Sequence, residues 1–233
     1  MVADHLSALL LCPTDAAVRN LAAEGITRGV HRVGDVMYDS VLHNLRLAEQ
    51  QPSPLAALGV AERGYYLATL HRPVNTDDPG RLRRLVEELA RLDAPAVLPV
   101  HPRTAKALDA AGLAGTRGSL RPIGPASYLD MLTLERHARA ILTDSGGVQK
   151  EAYLLGVPCI TLRAETEWVE TVEAGWNALV DADAARLREA IARVAKWDGT
   201  APPFGGSAAR RDLYGDGHAA EAIAQLLVES PKG

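Results

Sequence analysis

Short apolar runs alternate with amphipathic stretches through most of this chain. Six of the runs are nearly continuous, which is typical of strands that are covered on both faces. They lie at 65–70, 96–100, 119–122, 140–143, 159–162 and 177–180. Helical spacing of apolar residues separates them, at 79–92, 104–111, 126–138, 147–155 and 184–196. This rhythm predicts an α/β fold with a doubly wound parallel sheet.

The two ends of the chain are organised differently. The pattern predicts a strand at 9–12, a helix at 15–24, a second strand at 30–33 and a closing helix at 217–228. The stretch QQPSP at 50–54 is typical of a linker, and 199–206 is rich in Pro and Gly.

Composition limits the function classes. The chain has 233 residues, of which 47% are hydrophobic, so it can bury one large core or two small ones. A net charge of −4 does not indicate a binding surface for nucleic acid or an anionic membrane. No basic segment precedes the first apolar stretch, and no apolar run is long enough to span a bilayer. We therefore expect a cytoplasmic protein with neither a nucleic-acid nor a membrane partner.

Polar side chains follow several predicted strands directly. His71 and Arg72 follow one strand, His101 and Arg103 the next, and Arg163 a third. Ligands of open parallel sheets bind outside the carboxyl ends of the strands. Arg offers a planar fork of donors for phosphate oxygens. These residues together predict a diphosphate site in a protein whose net charge is negative.

The strongest single signal is the sequence TDSGG at 143–147, where a buried strand leads directly into a helix. Gly146 and Gly147 would let an anion approach the N–H groups of the first helical turn, which the helix dipole also favours. Glu151 lies about one turn further, where a carboxylate could accept both ribose hydroxyls. The alternative is an ordinary helix start, capped by Asp144 or Ser145, and we expect Asp144 to be the cap.

Other chemistries lack their signatures. Ser145 is not in a Gly-x-Ser-x-Gly elbow, and no glycine-rich loop carries the Lys of a Walker motif. Cys12 and Cys159 are far apart and predict two buried thiols. No His, Cys or Asp spacing predicts a metal site, so neither a metal nor a cofactor is expected.

Several motifs together resemble the non-hydrolysing UDP-N-acetylglucosamine 2-epimerases, most closely their archaeal-type branch. They are VGDVMYD at 33–39, TLHRP at 69–73, PVHPR at 99–103, LTDSGGVQKEA at 142–152, TEWVE at 166–170 and YGDG at 214–217. Two positions depart from the family pattern: Val74 stands where the family commonly has Glu, and Trp168 where many bacterial members have Arg.

The resemblance implies the C-terminal half of a glycosyltransferase type B fold, whose N-terminal Rossmann-like domain is missing. Residues 1–34 would be a remnant of that domain, 35–54 a connecting segment, and 55–233 the UDP-binding Rossmann-like domain with its C-terminal helix. It also implies that Ser145, Gly146 and Gly147 hold the diphosphate of UDP-N-acetylglucosamine or a related UDP-sugar. Glu151 would bind the ribose, Met131 would present backbone groups to uracil, and His71 would act near the leaving diphosphate.

The family interconverts UDP-N-acetylglucosamine and UDP-N-acetylmannosamine by eliminating UDP and adding it back, a step in cell-surface polysaccharide biosynthesis. Proton transfer at C2 needs an acid and a base, and the family's carboxylates for it lie in the missing domain. We therefore expect this chain to bind UDP but to be inactive alone, completed by an upstream domain or a homodimer. A non-catalytic UDP-sugar binding module and a type B glycosyltransferase fragment remain as alternatives.

Overall fold

The computed structural model describes residues 2–206 and 212–229 of the chain. Contacts within the chain divide it into two compact units. The first comprises Met1–Arg46 and Arg211–Gly233, and the second comprises Leu47–Arg210. No helix in the described ranges is both long and apolar enough to cross a membrane.

The first unit holds a small parallel sheet. Strands β1 and β2 pair from Leu10 with Val30 to Cys12 with Arg32. In chain order, the elements of this part are α1 (Val2–Leu6), β1 (Leu10–Cys12), α2 (Asp15–Ala23), β2 (Val30–Arg32) and α3 (Val36–Ala48). The two strands and the helix between them confirm the alternation predicted for the start of the chain.

The second unit is built on a six-stranded sheet in which every neighbouring pair is parallel. Its strands are β3 (Tyr66–Thr69), β4 (Ala96–Pro99), β5 (Leu120–Ile123), β6 (Ala140–Thr143), β7 (Cys159–Thr161) and β8 (Asn177–Leu179). All six predicted strands are therefore present, with bounds that differ by no more than about two residues. The α/β class with a parallel sheet is confirmed.

Helices connect the strands and cover both faces of the sheet. They are α4 (Pro54–Leu58), α5 (Pro73–Thr76), α6 (Pro79–Ala90), α7 (Pro102–Ala110), α8 (Tyr128–His137), α9 (Gly146–Leu155), α10 (Val169–Glu173) and α11 (Ala184–Ala195). Side chains of β3 and of Tyr65, which precedes it, show the two faces: Tyr66 and Ala68 belong to one buried cluster, and Tyr65 and Leu67 to the other. This alternation follows from the period of two along a strand and explains why the runs are apolar throughout.

The order of the strands determines where in the sheet the site lies. It runs β5-β4-β3-β6-β7-β8. The chain thus builds one half of the sheet outward from β3 and then returns to build the other half outward from β6. Between these two strands the helical connections diverge, which leaves a crevice at their carboxyl ends. The residues at that crevice are 70–72 after β3 and 144–147 after β6.

The expected segments 1–34, 35–54 and 55–233 stay a prediction, and the elements fall within them as follows. Much of 35–54 forms the helix α3. The last helix, α12 (Ala219–Glu229), was expected with 55–233 but groups with the first unit. Its start is held there because the carboxylate of Asp39 accepts hydrogen bonds from Ala219 N and Ala220 N, at 3.1 and 2.7 Å. Residues 207–211 and 230–233 of the expected third segment lie outside the described residues.

Candidate functional site

Asp144 connects the two strand ends at the crevice. Its side chain is fully buried, and its carboxylate accepts hydrogen bonds from His71 N at 3.1 Å, Arg72 N at 3.0 Å and Asn75 Nδ2 at 2.9 Å. The carboxylate therefore fixes the backbone that follows β3. The expectation that Asp144 caps α9 is wrong, because its oxygens are occupied by donors from the neighbouring strand end. Ser145 caps that helix instead.

The same carboxylate orients His71. Its Oδ1 lies 3.0 Å from His71 Nδ1, and the imidazole lines the crevice. Burial alone would raise the pKa of Asp144, but the hydrogen bonds from His71, Asn75 and the Arg72 amide outweigh that effect and hold the pKa below its ordinary value. Asp144 is therefore an anion that positions the ring by its Nδ1 edge. The other ring nitrogen, Nε2, is therefore the one available for proton transfer.

The first turn of α9 forms a cradle without side chains. Ser145 Oγ accepts from Val148 N at 3.4 Å, and the helix begins at Gly146. A Cβ atom at Gly146 would lie 3.4 Å from Glu167 Oε2 and 3.4 Å from Trp168 Nε1. A single Cβ would thus just fit, but a larger side chain would fill the space in front of the helix N-terminus; the φ of Gly146 is not positive, so the backbone does not require a glycine. Gly147, next in the turn, is exposed.

Arg72 lies beside this cradle. Its Nη2 is 3.9 Å from the position that a Cβ of Gly146 would take. Its Nε is buried and has no acceptor among the described residues. A buried guanidinium donor without an acceptor is costly unless a ligand or water supplies one. The helix N-terminus and this guanidinium therefore face the same small volume, and both favour an anion.

A cavity of about 230 Å³ opens next to the cradle. Four of the predicted site residues line it, namely His71, His101, Met131 and Ser145. Sequence reasoning did not single out the other lining residues, most of them apolar: Thr69, Leu70, Pro99, Val100, Pro125, Ala126 and Val148. Such a wall suits a flat ring, with the polar groups at the carboxyl ends of β3, β4 and β6.

Glu151 lies one turn into α9, as expected, and is nearly buried. Its Oε1 accepts a hydrogen bond from Tyr128 OH at 3.1 Å, and Glu135 on α8 is hydrogen-bonded to it as well. The sequence analysis did not identify Glu135, because a single Glu in an amphipathic helix carries no distinguishing signal.

The predicted cations differ in their present partners. Arg163 forms two hydrogen bonds with Glu167, at 3.0 and 2.9 Å, and that pair raises the pKa of Arg163 and lowers that of Glu167. Arg103 Nη2 contacts both carboxylate oxygens of Asp77, at 2.8 and 2.9 Å, and does not line the cavity. His101 lines the cavity, but its Nδ1 accepts from Arg103 N at 3.2 Å and so caps α7.

A buried network holds the segment between β7 and α10 against α9. Gln149 Oε1 accepts from Thr166 Oγ1 at 2.6 Å and from Asn177 Nδ2 at 3.2 Å. Next to it, Lys150 Nζ lies 4.2 Å from the centre of the Trp168 ring, a cation–π contact. Gln149 and Lys150 were quoted as part of a motif, yet nothing in the sequence indicated their contacts, which depend on how that segment folds back.

Comparison with known proteins identifies the family of the chain. The sequence model of the family described as UDP-N-acetylglucosamine 2-epimerase matches residues 1–228. A UDP-N-acetylglucosamine 2-epimerase homolog of Methanococcus maripaludis is 45% identical over 83% of this chain and 55% of its own length. The UDP-2,3-diacetamido-2,3-dideoxy-D-glucuronate 2-epimerase of Pseudomonas aeruginosa is 40% identical over 98% of this chain and 62% of its own length.

The fold has a solved counterpart. The crystal structure of the Methanocaldococcus jannaschii UDP-GlcNAc 2-epimerase in complex with UDP-GlcNAc and UDP has a TM-score of 0.83 and 36% identity, over 97% of this chain and 62% of that one. The chain thus spans little more than half the length of these relatives. With a family match along nearly the whole sequence and a solved relative of the same fold, the chain belongs to the UDP-N-acetylglucosamine 2-epimerase family.

Proposed function

We propose that this chain binds the UDP part of UDP-N-acetylglucosamine or a related UDP-sugar at the crevice between β3 and β6, as the nucleotide-binding half of a 2-epimerase. The observation that carries the proposal is the cradle at Gly146, where the first turn of α9 and the buried, unpaired Nε of Arg72 face the same volume. Donors of this kind are suited to a diphosphate.

The parts of the ligand follow from the surroundings of the cradle. Ser145, Gly146 and Gly147 would donate to the diphosphate, with Arg72 as its cationic partner. Uracil would lie against the apolar wall, where Met131 and Ala126 line the cavity. Glu151, one turn along α9, would accept the ribose hydroxyls. Arg163 could reach the diphosphate only by exchanging Glu167 for phosphate oxygens.

His71 is the proposed catalytic group. Asp144 holds its Nδ1 edge, so Nε2 is the nitrogen that can give a proton to the diphosphate when the bond to the sugar breaks. The contact with the buried carboxylate fixes the orientation of the ring, so that Nε2 keeps a defined position in the crevice.

The same geometry supports the absence of turnover by this chain alone. Among the described residues that line the cavity, none is a carboxylate, and His71 and His101 are the titratable ones. Asp144 is committed to the strand ends, Glu151 to Tyr128 and Glu135, and Glu167 to Arg163. We infer that the acid and base at C2 come from outside these 233 residues. A purely binding role, as a UDP-sugar module, is favoured by the same observation.

Calorimetry with UDP tests the binding proposal. The change Gly146→Val fills the cradle and should weaken UDP binding by more than about tenfold, or roughly 1.4 kcal/mol. The matched control is Ala185→Val, an exposed position in the first turn of α11, which should bind UDP like the parent chain. Thermal melting of each variant checks folding. Equal UDP affinity in a folded Gly146→Val variant would overturn the site.

A further inference from the structure

Glu135 is a buried carboxyl group that the proposed binding steps do not use. It lies on α8, which packs against α9, and only 1% of it is exposed. One of its oxygens, Oε2, is buried and has no hydrogen-bond partner within 2–206 and 212–229. The group is hydrogen-bonded to Glu151, the residue proposed to bind ribose. Two carboxyl groups in such contact, away from water, do not both ionise.

The surroundings decide which of the two carries the proton. Burial raises the pKa of Glu151, but the hydrogen bond from Tyr128 OH at 3.1 Å, the charge of Lys150 and the contact with Glu135 each oppose that rise and favour the anion. Glu135 has no such support, and an ionised Glu135 would leave a charged oxygen buried without a donor. Burial, together with the charge and hydrogen bond of Glu151, raises the pKa of Glu135 well above its ordinary value. Glu135 is therefore the neutral partner and Glu151 the anion.

We propose that Glu135 is a positioning residue: as a neutral acid it donates a hydrogen bond to Glu151 and holds that carboxylate in the orientation that accepts the ribose hydroxyls of UDP. The inference rests on the proposed function. Glu151 then receives one hydrogen bond from each side, from Tyr128 and from Glu135, and its remaining lone pairs face the ligand. A ligand whose ribose lacks a hydroxyl would lose one hydrogen bond to Glu151, an acceptor that is already oriented for it.

The titratable groups around Glu135 come from four elements. Tyr128 shares its helix, Glu151 and Lys150 lie on α9, Tyr65 precedes β3, and Cys159 begins β7. Burial raises the pKa of Tyr65, and raises that of Cys159 to about 12, so both stay neutral over the range from pH 5 to pH 8. Of the two carboxyl groups in this cluster, Glu135 is the one whose pKa lies well above its ordinary value.

The first test does not involve a ligand. Because the folded pKa of Glu135 lies above its unfolded value near 4.5, its contribution to stability is greatest below that value and falls as the pH rises toward the folded pKa. The melting temperature of the parent chain should therefore fall, relative to that of Glu135→Gln, between pH 5 and pH 8. The control Glu173→Gln, at an exposed position, should show no such trend. A pH-independent difference for Glu135→Gln would overturn the assignment of the proton.

The second test measures ribose recognition with UDP and 2′-deoxy-UDP. Glu135→Gln keeps a donor, whereas Glu135→Met has a similar shape without one. The parent chain and Glu135→Gln should bind UDP about tenfold tighter than 2′-deoxy-UDP, as expected for one hydrogen bond to a charged group. Glu135→Met should lose most of this preference while its affinity for inorganic diphosphate is unchanged.

The outcomes separate the two proposals. An unchanged preference for UDP in Glu135→Met, or equal losses for all three ligands, would overturn the positioning role and leave the UDP site standing. Absence of UDP binding by the parent chain would overturn the proposed function and the positioning role together. In that case the melting experiment would still decide where the proton lies.

Discussion

At the scale of single residues, Asp144 shows why a local motif is an incomplete guide. In the sequence it directly precedes Ser-Gly-Gly and has the character of a helix cap. In the structure its oxygens are taken by donors that lie more than 60 positions earlier in the chain, and Ser145 caps the helix. The sequence indicates that both Asp144 and Ser145 matter. Which of them caps the helix and which anchors the neighbouring strand end depends on the pairing of β3 with β6.

Replacing Asp144 by Asn tests this structural role. An amide would place its own donor against His71 N or Arg72 N, so a buried hydrogen-bond network would be broken at a cost of about 3 kcal/mol. Chemical denaturation of Asp144→Asn should show that loss at pH 7, with Asp109→Asn, an exposed position in α7, as the matched control. A variant as stable as the control would refute the role of Asp144.

The difference in stability between the parent chain and Asp144→Asn should change with pH in a defined direction. Hydrogen bonds hold the folded pKa of Asp144 below its ordinary value of 3.8, so its stabilisation is complete above that value and is lost as the pH falls through the folded pKa. The stability difference between the parent chain and Asp144→Asn should therefore be constant from pH 5 to pH 7 and shrink below about pH 4. A difference that grows on acidification would contradict the assignment.

At the scale of elements, sequence patterning succeeds where a helix or strand buries one regular face and fails where a segment is fixed by distant contacts. The strands and the helices α6, α9 and α11 were predictable because their apolar periods and caps agree. The helix α3 carried a usable signal, since its buried Val41, Leu45 and Ala48 recur at helical spacing, although the resemblance implied only a connecting segment at 35–54. The short helix α5 had little local signal, because Asn75 within it is anchored by Asp144 and by Leu162 O.

The segment between β7 and α10 yields a prediction at this scale. Gln149→Leu keeps the approximate volume but removes the acceptor for Thr166 Oγ1 and Asn177 Nδ2. A buried donor on Asn177 and a partly buried donor on Thr166 would lose this acceptor, so the free energy of unfolding should fall by about 2 kcal/mol. UDP binding should weaken as well, because Glu167 and Trp168 of this segment lie against the cradle at Gly146.

Denaturant unfolding and UDP calorimetry measure the two effects. The matched control is Gln51→Leu, whose side chain lies at an exposed turn and should change neither quantity. If Gln149→Leu loses stability but binds UDP normally, the segment is not part of the binding site.

At the scale of the whole molecule, the strand order is the property that connects sequence to function. The alternating pattern was enough to predict a parallel α/β sheet, and the polar residues after the strands were enough to predict an anion site at one edge. Their grouping was only partly predictable: His71, His101 and Ser145 line one cavity, whereas Arg103 and Arg163 are paired with acidic side chains. Which cations remain available depends on neighbours that a linear sequence does not reveal.

One proton NMR experiment in D2O tests the central claim, that this chain is a nucleotide-binding half without the groups for C2 chemistry. The purified chain is mixed with UDP-N-acetylglucosamine, protein resonances are saturated, and the ligand spectrum is followed over hours. The account predicts transfer of saturation to the uracil and ribose protons and an undiminished C2 proton signal. Absence of saturation transfer would contradict the binding site, and loss of the C2 signal that His71→Ala abolishes would contradict the claim that the acid and base lie outside this chain.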